Sequence, residues 1–168
     1  EEGKKLIADL AAFGSPVILF SGGEPLLRRD LFELAQYATD KGMRAVISTN
    51  GTLITDEVAA KLKEIGLSYV GVSLDGLEKT HDRFRGKKGA FAAAIEGIRN
   101  CRKAGVKVGI RFTVNKHNLI DVPAMFDLLR KEKIERMCFY HLVYTGRGSK
   151  LRNEDLTHEE TRRLLDLI

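Results

Sequence analysis

Five short apolar runs recur at intervals of about thirty residues, and each carries its polar residues at its carboxyl end. Val17-Ile18-Leu19-Phe20 runs into Ser21-Gly22-Gly23-Glu24-Pro25, Ala45-Val46-Ile47 into Ser48-Thr49-Asn50-Gly51, and Tyr69-Val70-Gly71-Val72 into Ser73-Leu74-Asp75-Gly76. Val108-Gly109-Ile110 leads into Arg111-Phe112-Thr113-Val114-Asn115, and Met137-Cys138-Phe139-Tyr140 into His141-Leu142-Val143-Tyr144-Thr145-Gly146-Arg147-Gly148. Each run reads as a strand, the first of them a buried one. Hydroxyls, amides and charges gathered at one end of parallel strands imply one shared face.

Helical spacing fills the intervals. Leu31, Leu34, Ala35 and Ala38 recur at i, i+3, i+4 and i+7, Val58, Leu62 and Ile65 make a second stripe, and Phe91, Ile95 and Ile98 a third. Asp30 with Glu33 and Thr157 with Glu160 have the spacing of capping boxes, and Asp121 before Pro123 has the look of a first helical turn. Gly42, Gly66 and Gly105 stand where helices should stop. Strand and helix in alternation predict right-handed βαβ units, hence an α/β fold with a parallel sheet. Five strands are fewer than the eight of a full barrel, so the expectation is a partial (β/α) barrel or a curved open sheet. In either form, loops after the strands build the ligand site.

The chain has 168 residues, 43% of them hydrophobic and 30% charged, which suits one domain with a real core. No apolar stretch approaches membrane-spanning length, and Glu1-Glu2-Gly3-Lys4-Lys5 opens like an amphipathic helix rather than a secretion signal. A soluble, cytoplasmic protein with no membrane partner is expected. Net charge of +5 suits an anionic substrate and equally a solvated surface. The densest basic stretch, Arg83 to Lys88, ends in a Gly86-Lys87-Lys88-Gly89 turn without the phosphate-loop pattern, so nucleic acid is not expected. Cys101 and Cys138 stand far apart and in no metal-binding motif. Cys101 continues the stripe after Ile98 and Cys138 falls inside a strand, which makes both expected to be buried, reduced thiols.

Gly22-Gly23-Glu24 combines backbone that can approach a bound molecule with a carboxylate that accepts from a positive group such as an amine. The same glycine pair with Pro25 is also ordinary turn chemistry. The pentapeptide alone leaves both readings open, and the recurrence of polar strand ends favours a site.

Taken together, Gly22-Gly23-Glu24-Pro25, Ser48-Thr49-Asn50-Gly51, Ser73-Leu74-Asp75-Gly76 and Arg111-Phe112-Thr113-Val114-Asn115, in this order and each after a strand, resemble the core of a radical S-adenosylmethionine (radical SAM) enzyme. The resemblance extends from about Glu1 to Arg147. Phe20-Ser21-Gly22-Gly23-Glu24-Pro25-Leu26, His81-Asp82-Arg83-Phe84-Arg85-Gly86 and the stretch from Phe139 to Gly148 resemble the branch that trims side chains of iron tetrapyrroles in haem d1 and siroheme-dependent haem synthesis.

The resemblance implies two cofactors, S-adenosyl-L-methionine and a 4Fe-4S iron–sulfur cluster, and an enzyme that forms a 5′-deoxyadenosyl radical to abstract a substrate hydrogen. It also implies an electron-donor protein and a small-molecule substrate, an iron tetrapyrrole losing acetate or carboxyl groups. The family's Cys-x3-Cys-x-aromatic-Cys loop is not among these residues, so the cluster ligands are expected outside them and the chain is expected to be a fragment, inactive alone. Carried over residue by residue, the resemblance puts the methionine ammonium on the Gly22-Gly23 backbone and Glu24, and the methionine carboxylate on Ser73 and Arg85. Thr49 and Asn50 fall on the sugar or methionine side, Asp75 on the ribose, and Thr113, Val114 and Asn115 near adenine.

Bland alternatives stand beside several of these roles: a surface salt bridge for Arg85, turn formation for Asn50 and Asp75, and core packing for Val114. His141, Tyr144 and Arg147 follow on the substrate side, where a histidine can ligate iron or act as an acid and an arginine can pair with a carboxylate. His141 is equally compatible with a hydrogen-bonded strand end. Two competing functions share the motifs: a radical enzyme that modifies a peptide or matures a sulfatase, and a non-catalytic binding module on the same fold.

Overall fold

The computed structural model describes residues 1–145, 149 and 151–168 with their side chains, and 146–148 and 150 fall outside that description. The elements alternate as the sequence predicts: α1 (Glu2–Ala12), β1 (Val17–Phe20), α2 (Leu31–Asp40), β2 (Arg44–Thr49), α3 (Asp56–Glu64), β3 (Tyr69–Ser73), α4 (Glu78–Arg85), α5 (Ala90–Lys103), β4 (Val108–Thr113), α6 (Val122–Glu132), β5 (Met137–Tyr140) and α7 (His158–Leu167). The five strands form one sheet in the order β1-β2-β3-β4-β5. Val17 pairs with Arg44, Val46 with Tyr69 and Ile110 with Met137, in parallel register. Parallel strands in sequential order, each followed by helix, are the topology of a (β/α) barrel, of which five strands make a part. Among the described residues no helix is long and apolar enough to cross a membrane.

The chain divides into two compact units, 1–72 with 93–109, and 73–92 with 110–168. In the first, Leu31, Leu34, Ala35 and Ala38 of α2 are buried as their spacing predicts, as are Leu62 of α3 and Ile65 after it, whereas Val58 is half-buried and its neighbour Ala59 is buried instead; Ala45 and Ile47 of β2 are equally buried. In the second, Val114, Val122 and Met125 are fully buried with Phe112, whose ring meets Phe139 edge-on at 5.7 Å. Gly42, Gly66 and Gly105 follow helix ends at positive φ, as expected.

Three expectations need correction. The first apolar run is an edge strand rather than a buried one: among the described residues β1 pairs with β2 alone, and Leu19 is 49% exposed. Run length does not tell a central strand from an edge. Cys101 is buried, but Cys138 is only partly so, because every residue of β5, the other edge strand, is intermediate in burial. Asp30 does not close a capping box. Its carboxylate takes Arg28 instead, Nε to Oδ1 at 2.6 Å and Nη2 to Oδ2 at 2.9 Å, and it makes no cap bond. Asp121 does stand at the N-terminal cap of α6 with Pro123 in the first turn, as expected; it makes no cap bond and accepts from Leu77 N at 2.9 Å. Thr157 and Glu160 do form the box, with bonds of 2.8 and 3.2 Å.

Candidate functional site

In the first unit the chain leaves β1 through Ser21, Gly22 and Gly23. Gly22 lies at φ 132°, a conformation that L side chains rarely adopt, and a Cβ placed on either glycine would meet nothing within 4 Å. The two glycines therefore expose backbone without filling the space before it. Glu24 follows as the cap of a short 3-10 turn over Pro25–Leu27.

Three donors hold the Glu24 carboxylate. Oε1 accepts from Leu26 N at 3.2 Å and from Thr49 Oγ1 at 2.6 Å, and Oε2 accepts from Asn50 N at 2.8 Å. A carboxylate has about four lone-pair positions, so Oε2 retains one for a ligand. Thr49, buried at the end of β2, also accepts Gly51 N at 3.0 Å. Asn50 closes the turn by accepting from Thr52 N at 2.8 Å and Thr52 Oγ1 at 2.7 Å. Gly51 seats against α5: a Cβ on Gly97 would lie 2.2 Å from the Gly51 carbonyl oxygen. Thr49 and Asn50 are thus brought to Glu24 itself.

In the second unit the polar residues after β3 and β4 form a buried network centred on Asp75, which is 1% exposed. Its Oδ2 forms an ion pair with Arg85 Nη2, and its Oδ1 accepts from Thr113 N at 2.8 Å. Burial pushes the Asp75 carboxyl above the usual carboxylate range, against the pull of Arg85 and the Thr113 N–H. The Asp75 N–H donates to His81 Nδ1 at 3.0 Å, which fixes the imidazole proton on Nε2. Burial, and then the Arg85 charge, pushes His81 down to about 4. Asn118 donates Nδ2 to the carbonyls of Asp75 at 3.1 Å and Thr113 at 2.8 Å, and its Oδ1 accepts from Asn115 N at 2.7 Å.

The sequence-predicted residues separate accordingly. Arg85 is no free surface group: it pairs with a buried carboxylate while its own side chain stays one-third exposed. The Ser73 hydroxyl is partly buried at the end of β3, and Val114 is fully buried with its N–H on the Tyr140 carbonyl at 2.9 Å. Asn115 is 1% exposed, and its Nδ2 is buried without a partner beside a cavity of about 610 Å³. His141 is exposed beyond β5, and Tyr144 donates its hydroxyl to Asp155, which pushes the phenol up. Arg147 lies outside the described residues. Sequence reading gives no role to Asn118, and none to His81 beyond its place in a motif, since a lone His in a charged stretch and an Asn in a loop carry no periodic signal.

A parallel α/β core with its polar groups on the loops after successive strands is the framework of barrel-type enzymes. The family model for the radical SAM superfamily matches residues 1–129, and the chain belongs to that superfamily. It is 70% identical over its whole length to an Fe-coproporphyrin III synthase of Methanosarcina barkeri, of which it covers 42%. It is 42% identical over 99% of its length to a pre-heme d1 synthase of Dinoroseobacter shibae, covering 41% of that protein. The chain thus spans less than half the length of these relatives, and they are of the haem branch that the motifs resemble. Its fold matches Streptococcus suis SuiB bound to precursor peptide SuiA, with a TM-score of 0.83 at 19% identity over 98% of this chain and 37% of that one.

The superfamily uses S-adenosylmethionine and a 4Fe-4S cluster, and the residues here fit the two differently. An amino-acid ligand suits the free acceptor on Glu24 beside open glycine backbone. The cluster does not suit the cysteines: burial pushes Cys101 up to about 12, Cys138 lies on a different element, and among the described residues no three His, Cys, Asp or Glu group to hold a metal ion.

Proposed function

We propose that this chain is the S-adenosylmethionine-binding core of a radical enzyme that removes side chains, by loss of acetate or carboxyl groups, from an iron tetrapyrrole in haem or haem d1 synthesis. The observation that carries the reading is the Glu24 carboxylate, held by three donors with one acceptor position left and flanked by two glycines that leave their space open. The identities of 70% and 42% to a coproporphyrin and a pre-haem synthase support the tetrapyrrole part.

When bound, the cofactor supplies a carbon radical that takes a hydrogen atom from the substrate. The chain's own residues bind and orient. Glu24 Oε2 receives an ammonium in a charge-assisted contact. Thr49 and Asn50 act through Glu24 as positioning residues, since each donates to its carboxylate. Ser73 offers a hydroxyl to a carboxylate, and Arg85 offers the donors that Asp75 leaves unused, which its fork geometry allows. Asp75, His81 and Asn118 hold that guanidinium and the two strand ends fixed and dry. His141 and Tyr144 stand on the substrate side.

The test is incubation of the full-length protein with didecarboxysiroheme, then with iron porphyrin carboxylates, plus reductant and S-adenosylmethionine. The expected result is loss of side-chain mass from the tetrapyrrole in step with release of 5′-deoxyadenosine. Steady nucleoside release with every tetrapyrrole unchanged would overturn the substrate assignment.

A further inference from the structure

The cavity in the second unit carries a charge imbalance that the cofactor does not explain. Lys79, Arg83, Phe84, Arg85, Asn115 and His117 line it, in a volume of about 610 Å³. Two of its basic side chains have acidic partners: Arg85 pairs with Asp75, and His117 Nε2 lies 2.5 Å from Glu154 Oε2. Lys79 and Arg83 have none among the described residues. They stand one turn apart on α4, so both charges point the same way along one helix face. Beside them the Asn115 Nδ2 is buried without an acceptor, a cost that a ligand oxygen would cancel. Phe84, 36% exposed, adds an aromatic wall. Two uncompensated cations, one orphaned donor and an apolar face together describe a site for a carboxylate on an apolar body.

Two ligands of this enzyme class carry carboxylates, and net charge separates them. S-adenosylmethionine bears an ammonium and a sulfonium against one carboxylate, so it is a cation overall and two free positive charges disfavour it. A tetrapyrrole with several acidic side chains is strongly anionic and is attracted. We propose that the Lys79 and Arg83 side of this cavity, beside the Arg85 that the reading above gives to the cofactor, is a substrate subsite, in which Lys79 and Arg83 hold an acidic side chain of the tetrapyrrole and Asn115 donates to it. The assignment rests on the tetrapyrrole reading above and adds where and how that substrate is gripped.

Full-length protein titrated with iron coproporphyrin III and with its methyl ester by absorbance, and with S-adenosylmethionine by calorimetry, tests this. The double variant Lys79→Ala, Arg83→Ala is expected to weaken the polycarboxylate about tenfold, the scale for losing two exposed ion pairs, and to leave the ester and the cofactor as in wild type. High salt should weaken wild-type binding of the acid and bring it toward the variant. Both positions are exposed on a helix that alanine suits, so the variant keeps the fold. Unchanged affinity for the polycarboxylate in the variant would overturn the subsite and leave the tetrapyrrole reading standing. Loss of cofactor affinity instead would assign the cavity to the methionine carboxylate and overturn it too. A wild-type protein that binds no tetrapyrrole would sink both.

Discussion

Thr49 Oγ1 donates to Glu24 Oε1 at 2.6 Å, so the end of β2 fixes the one carboxylate in the glycine-rich turn after β1. With Asn50 N on the other oxygen at 2.8 Å, the acid is oriented before any ligand arrives. Such preorganisation lowers the ordering cost of binding.

Glu24→Gln is expected to weaken S-adenosylmethionine binding in the full-length protein by roughly 1–3 kcal/mol, the range for a hydrogen bond to a charged group. Thr49→Val keeps the acid and loses one donor, so its effect should be smaller, about 0.5–1.5 kcal/mol. Calorimetry that ranks the two in the opposite order would show Thr49, not Glu24, to be the direct contact.

Gly97→Ala tests how the turn that carries Asn50 is seated. Inside a helix, alanine normally stabilises by about 1 kcal/mol over glycine. Here the added Cβ would lie 2.2 Å from the Gly51 carbonyl oxygen, a backbone atom, so the helix or the turn must shift. We expect a net loss of about 1–3 kcal/mol, as for an overpacked core. Thermal unfolding should show a lower midpoint, and a raised one would mean that α5 is not pressed against this turn.

Stability should fall between pH 6.5 and 4 through His81. Burial holds it at about 4 in the folded chain, below the ordinary histidine value of about 6.5, so in that window the unfolded chain binds a proton and the folded one does not. The contribution is fully present above pH 6.5, is lost as pH falls toward 4, and does not change further below it. His81→Asn keeps an acceptor near the Asp75 N–H and cannot titrate, so denaturant unfolding of the variant should show a shallower slope over this window. An identical slope would place the titrating group elsewhere.

The parts of this structure that were legible in sequence are those with a period. Apolar runs ending in polar residues gave five strands in the right order, and the stripes through Leu31 and Leu62 gave helices with the right buried faces. α4 has almost no apolar period, since His81 is its one buried residue, and only its last three residues stand out in sequence, as the start of the basic stretch from Arg83 to Lys88. The candidate residues Glu24, Thr49 and Asn50 were visible as types, whereas their mutual bonding depends on β1 and β2 lying side by side. Gly97 shows the same limit, because a glycine in a helix reads as a weak point until the carbonyl it admits is seen. Asp30 was misread because Arg28 competes for its carboxylate, and spacing alone does not register a competitor two residues away.

The two thiols should report their environments directly. Cys101 is fully buried and burial pushes its thiol up to about 12, so almost no thiolate forms at neutral pH and no reagent reaches it. Cys138 is only partly buried on β5. Native protein treated with a disulfide reagent should therefore lose Cys138 first and Cys101 only at the rate of unfolding, while denatured protein loses both together. Peptide mapping of the modified sites distinguishes the two. Anaerobic reconstitution of these residues with iron and sulfide should also leave no stoichiometric cluster, because no three ligating side chains group among those described. Iron that persists after mutation of both Cys101 and Cys138 would show that other groups in this chain hold it.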